Sequence, residues 1–139
     1  MKVEKTAVDA GGDEERQWYR AGGIAALVIG LGYIIIFPLY ARVGAPPSGG
    51  EAWFKSLPGK TMVWWAILGL SVFTDFLYVP VAFALYLALK AVNRNAMLLA
   101  SAFVGLFVVL DLAVTWPHYA SILTLYRDYS TAVDDAHRE

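Results

Sequence analysis

The chain has 139 residues, of which 58% are hydrophobic and only 17% are charged, and its formal net charge is −1. Soluble domains average roughly 45–50% apolar and about 25% charged residues, so this composition predicts a single-domain integral membrane protein. The near-zero charge, with 11 Lys and Arg residues spread along the chain, argues against nucleic acid as a partner.

The chain has few residues of the types that bind metals or cofactors. The chain has no cysteine, which excludes disulfides, thiolate metal sites and cysteine-held iron–sulfur clusters. His118 and His137 are its two histidines, and His137 lies in a polar segment, so a bis-histidine haem has no evident ligand pair. We therefore expect no metal and no cofactor.

The first apolar run follows a polar segment. Residues 1–17 mix acidic and basic side chains, a composition that cannot bury a core, and predict a flexible tail. Residues 21–41 then predict a membrane-spanning helix, about 20 residues being enough for a ~30 Å hydrocarbon core. Within it Gly22, Ala26 and Gly30 recur every four residues, which predicts a face of small side chains for close helix packing.

Residues 42–60 are rich in Gly and Pro and predict a loop. Between the breakers, residues 51–57 have room for two helical turns, and Trp53, Phe54 and Leu57 would form an apolar patch on the membrane surface. Residues 61–89 predict a second spanning helix, within which Pro80 leaves the carbonyl of Phe76 without its helical partner.

The last apolar run, residues 95–116, predicts a third spanning helix that ends at an interfacial Trp-Pro-His-Tyr sequence. After it, aromatic and aliphatic residues at helical spacing predict an amphipathic helix over 118–130 that lies at the membrane interface. Thr131 resembles an N-cap, so residues 131–139 are either a polar tail or the start of a helix that continues in a longer protein.

The predicted fold class is all-α: a helical membrane bundle over residues 18–130, with three transmembrane helices and a C-terminal interfacial amphipathic helix. The linker 90–95 carries Lys90 and Arg94 and no acid. Because cytoplasmic loops are enriched in such cations, we expect a multi-pass protein of the cell membrane with a cytoplasmic N-terminus. The expected partners are the lipid bilayer and either further copies of the chain or a larger membrane complex.

Two aspartates lie deep inside the apolar runs. Asp75 precedes the 90–95 linker and Asp111 follows it by similar numbers of residues, which at ~1.5 Å per residue places both ~22–25 Å along their helices. A short linker makes the two helices antiparallel neighbours, so the two carboxyl groups are expected to be neighbours at one depth. Ionisable groups inside a membrane are costly and often functional.

Each aspartate belongs to a polar stripe. Ser71 and Tyr78 share the helical face of Asp75, while Thr115 and His118 follow Asp111 at i+4 and i+7. If the stripes face each other, the two carboxyls would share one proton or bind one cation, because two like charges cannot both ionise cheaply there. The alternative is that the protonated aspartates only tie helices together by hydrogen bonds. His118, beside Trp116 and Tyr119, fits an interfacial anchor better than a ligand.

Two segments resemble a known group of proteins: DFLYVPVAFALYLALKAVNRN from Asp75 and LDLAVTWPHYASILTLYRDYSTAVDDAHRE from Leu110. They are similar to uncharacterised prokaryotic multi-pass membrane proteins that carry a domain of unknown function, with TWPHYAS as the most distinctive part. The resemblance implies further membrane helices after this segment, and hence that the chain is the amino-terminal part of a longer protein. It implies no activity.

Three classes of function follow from these observations. The first is a non-catalytic packing or accessory component, favoured by the small-residue face and by the lack of a catalytic motif. The second is a proton or cation pathway through Asp75 and Asp111. The third is a membrane-embedded enzyme that acts on a lipid-like substrate and would need a side-opening pocket at an aspartate.

Overall fold

The computed structural model describes residues 3–136, with the side chains of residues 15–132, and this part of the chain is helical without strands. The elements are α1 (Val3–Val43), α2 (Gly50–Ser56), α3 (Thr61–Leu89), α4 (Arg94–Leu110), a π-helical turn (Asp111–Thr115) and α5 (Trp116–Ala136). Three stretches of these residues are long and apolar enough to cross a membrane: Glu15–Val43, Thr61–Leu89 and Arg94–Ala132. The all-α class is thus confirmed.

The helix bounds differ from the sequence prediction at both ends of the chain. Helix α1 begins at Val3 instead of near residue 21, so residues 3–17 of the predicted polar tail are helical. Helix α5 continues to Ala136, and Thr131 donates its hydroxyl to the carbonyl of Arg127 at 2.9 Å. Thr131 is therefore an internal residue of α5 and not an N-cap, because its hydroxyl bonds backward along the same helix. Residues 137–139, including His137, lie outside the described residues.

The described residues form two compact units, to which α1, α3 and the last long helix each contribute a segment. The first unit contains α1 up to Leu31 together with Thr74–Val109. Its helices α1 and α3 run antiparallel, since Trp18 contacts Phe83 with ring centroids 4.6 Å apart and Glu15 lies 2.8 Å from Lys90. Helix α4 contacts α3 where the rings of Tyr78 and Phe107 meet edge-to-face with centroids 5.8 Å apart.

The α3–α4 linker has defined polar contacts. The side-chain oxygen of Asn93 accepts the backbone N–H of Ala96 at 3.0 Å and so caps the first turn of α4. Lys90 donates to the carboxylate of Glu15, and this hydrogen bond raises the pKa of Lys90 above its ordinary value of 10.5. Lys90 therefore keeps its charge up to a higher pH than a free lysine, and its contribution to this interaction is lost as the pH rises through the raised pKa.

The second unit contains Gly32–Phe73 and the chain from Leu110 onward. Its core joins residues from α1, α2, α3 and α5: Val43, Trp53, Leu57, Trp64, Ile67 and Leu123. Trp53 contacts Trp64 and Tyr119 with ring centroids 5.0 and 5.7 Å apart. Such aromatic pairs contribute about 0.5–1.5 kcal/mol each beyond the burial of their area.

This core corrects the expectation that Trp53, Phe54 and Leu57 lie on the membrane surface. Trp53 and Leu57 are 4% and 0% exposed, and Phe54 is half-buried against Tyr126 and Tyr129. The physical reason is that α2 packs on α5, which covers the apolar side chains that the sequence leaves without a partner.

The third apolar helix does not end at Trp116. It passes through the π-helical turn, in which the N–H of Trp116 donates to the carbonyl of Asp111 five residues earlier. Pro117 lies two residues after the end of this turn, and a proline has no N–H and crowds the carbonyl four residues before it. The wider turn accommodates the proline and lets the chain continue as α5. The interfacial position of residues 118–130 stays a prediction.

Candidate functional site

Asp75 is a buried acid of the first unit, with 3% of its surface exposed. It lies in α3 beside Thr74, which is 1% exposed, and both residues take part in interactions with neighbouring groups. Tyr78, one turn further along α3, packs its ring edge-to-face on Phe107 of α4 at 5.8 Å. Burial at this level requires a carboxyl group to be neutral or closely paired.

Asp111 is the first residue of the π-helical turn in the second unit. Its carboxylate oxygen accepts the hydroxyl proton of Thr115 at 2.9 Å, the i+4 partner on its predicted stripe. Asp111 and Thr115 are both half-buried. Single-turn π-helices inside α-helices often occur at functional sites, so this turn is the second candidate position for chemistry.

The other predicted polar residues divide between the two units. Ser71 is buried in the second unit, where His118 is exposed and lies edge-to-face on the ring of Tyr119 at 5.8 Å. Because Asp75 belongs to the first unit and Asp111 to the second, their pairing stays a prediction.

The predicted small-residue face of α1, formed by Gly22, Ala26 and Gly30, is buried at one end and exposed at the other. Gly22 is buried, and a Cβ there would overlap the Cβ of Ala84 and lie 3.0 Å from the carbonyl oxygen of Pro80. Ala26 and Gly30 are exposed, and a Cβ on Gly30 would meet no atom within 4 Å. Each residue turns the helix by about 100°, so a spacing of four advances about 40° per step and carries Gly30 away from the contact that Gly22 makes.

Beside the Gly22 contact, α1 and α3 leave an open groove of about 260 Å³. We call it the small-residue groove, since five of its eight lining residues are Gly or Ala. Its lining residues are Tyr19, Gly22, Gly23, Ala26, Val81, Ala84, Leu85 and Ala88.

A second groove of the first unit, the apolar groove, has a volume of about 450 Å³. It is lined by Trp18, Val79, Ala82, Phe83, Tyr86, Leu98, Ser101, Val104 and Gly105. Sequence reasoning missed this groove and the buried Thr74. A signal was present in α4, where Leu98, Ser101 and Gly105 follow one another at spacings of three and four and so share one helical face.

Among the residues that the structure describes, no three acidic or histidine side chains are placed to hold a metal ion. The chain matches no family model, no curated protein and no solved structure. The resemblance of the Asp75 and TWPHYAS segments to uncharacterised membrane proteins therefore stays a prediction.

Proposed function

We propose that the chain is an integral membrane protein whose three apolar helices cross a bilayer and that it serves as a non-catalytic packing or accessory component of a membrane assembly. The observation that carries this proposal is the small-residue groove between α1 and α3. The proposed partner is a membrane helix, from a second copy of the chain or from another protein.

The physical argument is that membrane helices associate through close packing, because lipid tails remove the usual hydrophobic drive between them. Small side chains on two neighbouring helices let the backbone of a third helix approach both at once. Ala26 contributes to this groove from α1, while Ala84 and Ala88 contribute from α3. Their small volume supports a helix as the occupant.

Ala26→Ile tests this proposal. The larger side chain would occupy the groove, so we expect a shift toward smaller assemblies in mild detergent, measured by size-exclusion chromatography with light scattering. Ala66→Ile, at an exposed alanine of α3 outside the groove, is the matched control and should leave the assembly unchanged. An unchanged assembly in Ala26→Ile would mean that this groove faces lipid, and the accessory role would be rejected.

A proton or cation pathway is the second candidate, and the π-helical turn at Asp111 is the observation that favours it. Asp75 is buried and Asp111 is half-buried and bonded to Thr115, and each carboxyl group is able to hold a proton. Asp75→Asn should then fold normally and abolish proton or cation flux in proteoliposomes. A parent protein without measurable flux would reject the pathway and leave the aspartates a hydrogen-bonding role.

A further inference from the structure

We propose that the apolar groove of the first unit binds one acyl chain of an anionic phospholipid, with the phosphate group held at Arg94. The proposal rests on the membrane placement proposed above, but it concerns a different surface from the small-residue groove and a different ligand from a partner helix.

The lining of the groove suits a hydrocarbon chain. Its volume of about 450 Å³ lies within the ~300–1,000 Å³ of typical small-molecule sites, and no charged side chain lines it. The rings of Trp18 and Phe83 contact each other edge-to-face and form one wall. Gly105 leaves the opposite wall open, since a Cβ there would meet no atom within 4 Å. A polar occupant would lose most of its hydration in such a groove and gain few polar partners.

The charges at one end of the groove select the headgroup. Arg94 is exposed at the first position of α4, one helical turn before the lining residue Leu98 and on the same face. Lys90, at the end of α3, lies one turn after the lining residue Tyr86 and already binds the carboxylate oxygen of Glu15 at 2.8 Å. Arginine binds phosphate through a planar fork of donors, and the start of a helix adds partial positive charge.

A polar group also lines the groove, further along α4 than Arg94. Ser101 is seven residues after Arg94, about 10 Å along α4. Its hydroxyl is buried and has no hydrogen-bond partner among the described residues, although it belongs to a lining residue of the groove. The ester carbonyls of a phospholipid lie between its phosphate and its acyl chains and are acceptors for such a donor. Along α4, Arg94 is thus the counterpart of the phosphate, Ser101 that of the ester, and the apolar lining that of the acyl chain.

Native mass spectrometry tests the proposal with the full chain in mild detergent, titrated with dioleoyl phosphatidylglycerol or dioleoyl phosphatidylcholine. One cation near an anionic headgroup contributes about 1 kcal/mol, so phosphatidylglycerol should bind about five-fold more tightly than phosphatidylcholine. Arg94→Gln should remove this preference, because it weakens phosphatidylglycerol binding more than the binding of phosphatidylcholine, whose choline cation already offsets the phosphate charge. Gly105→Leu should fill the groove and weaken the binding of both lipids at least about ten-fold.

Two variants serve as matched controls. Gly69→Leu places the same side chain at an exposed glycine of α3 that does not line the groove, and Arg42→Gln removes an exposed cation at the end of α1. Both should bind the lipids as the parent does. Ala82→Leu fills the groove from α3 and replaces Gly105→Leu if the latter does not fold, as judged by circular dichroism.

The outcomes separate this proposal from the proposed function. A parent protein that alkaline carbonate extracts from membranes would reject the membrane placement itself. A parent that stays in the membrane but binds the two lipids equally would overturn the lipid site alone. Lipid binding by the groove-filling variants at parental strength would overturn it as well.

Discussion

At the scale of single residues, Gly22 determines how closely α1 approaches α3. The α1 backbone at this position lies against Ala84 and the carbonyl of Pro80, a separation that no side chain with a Cβ permits without movement. Gly23, the next residue, is exposed and has open space around it. Gly22 therefore has a packing role that the adjacent Gly23 lacks. The same substitution at both positions can separate the effect of packing on stability from the effect of helix propensity.

Gly22→Ala should destabilise the protein by about 1–3 kcal/mol, because the added methyl group overpacks the contact with Ala84 and the backbone of α3. Thermal unfolding in mild detergent measures the effect. Gly23→Ala makes the same chemical change in open space and should be neutral or stabilising. Equal losses in both variants would mean that helix geometry, and not the contact with α3, governs this position.

The buried carboxyl group of Asp75 is the second residue with a distinct role. Asp75→Leu should lower stability by about 1–3 kcal/mol more than Asp75→Asn, because the amide keeps hydrogen-bonding capacity whereas leucine leaves buried polar neighbours unsatisfied. Chemical or thermal denaturation in detergent distinguishes the two variants. Equal losses would show that Asp75 does not act through hydrogen bonds.

At the scale of elements, the π-helical turn is the irregular feature of the last long helix. It carries Asp111 at its start and Thr115 at its end, joined by a side-chain hydrogen bond, and Pro117 lies two residues after it. A π-helical turn accommodates about one residue more than an α-helical turn of the same rise. The extra residue changes the rotation, about the helix axis, of the residues after the turn relative to the residues before it.

Deletion of Val114 should convert this turn into regular α-helix and keep α5 in register, because it removes the extra residue at a position that is 61% exposed. The variant should retain its helical content by circular dichroism and lose little stability. Deletion of Leu106, a similarly exposed residue in regular α-helix, should rotate all following residues by about 100° and destabilise the protein strongly. Equal losses would contradict the assignment of an extra residue to the turn.

At the scale of the whole molecule, the proposed crossing of a bilayer by three apolar stretches predicts that successive connections lie on opposite sides of it. The loop after α1 contains Ser48 and the linker after α3 contains Asn93, both exposed. Because the chain contains no cysteine, a single cysteine can be introduced at either position without competing thiols.

Ser48→Cys should react with a membrane-impermeant maleimide in intact cells, whereas Asn93→Cys should react only after permeabilisation. This expectation follows from the predicted orientation, in which the N-terminus and the linker with Lys90 and Arg94 are cytoplasmic. Mass-tag labelling on gels measures it, with cysteine-free parent protein as the blank. Labelling of both positions from the same side would refute the three-span topology, and a reversed pattern would refute only the orientation.

Much of the secondary structure followed from local pattern. The apolar run over Thr61–Leu89 predicted α3 with its observed bounds, since length and hydrophobicity are properties of the segment itself. The bond between Thr115 and Asp111 likewise joins two residues four apart, close enough in the chain for spacing to bring them together. The ends of α1 and α5 were misjudged, because polar residues are compatible with helix as well as with coil.

The sequence by itself determined an all-helical chain with three apolar stretches of spanning length and two aspartates inside them, because these are counts along one dimension. Tertiary structure decided which face of each helix is covered. In the folded chain Gly22 is buried and Gly30 is exposed, Trp53 and Leu57 belong to a core, and a groove lies between α3 and α4. In a helix that is apolar all round, the periodicity of the sequence does not show which face is buried. Its packing depends on side-chain shape and on close approach of the backbones, and both depend on the neighbouring helix.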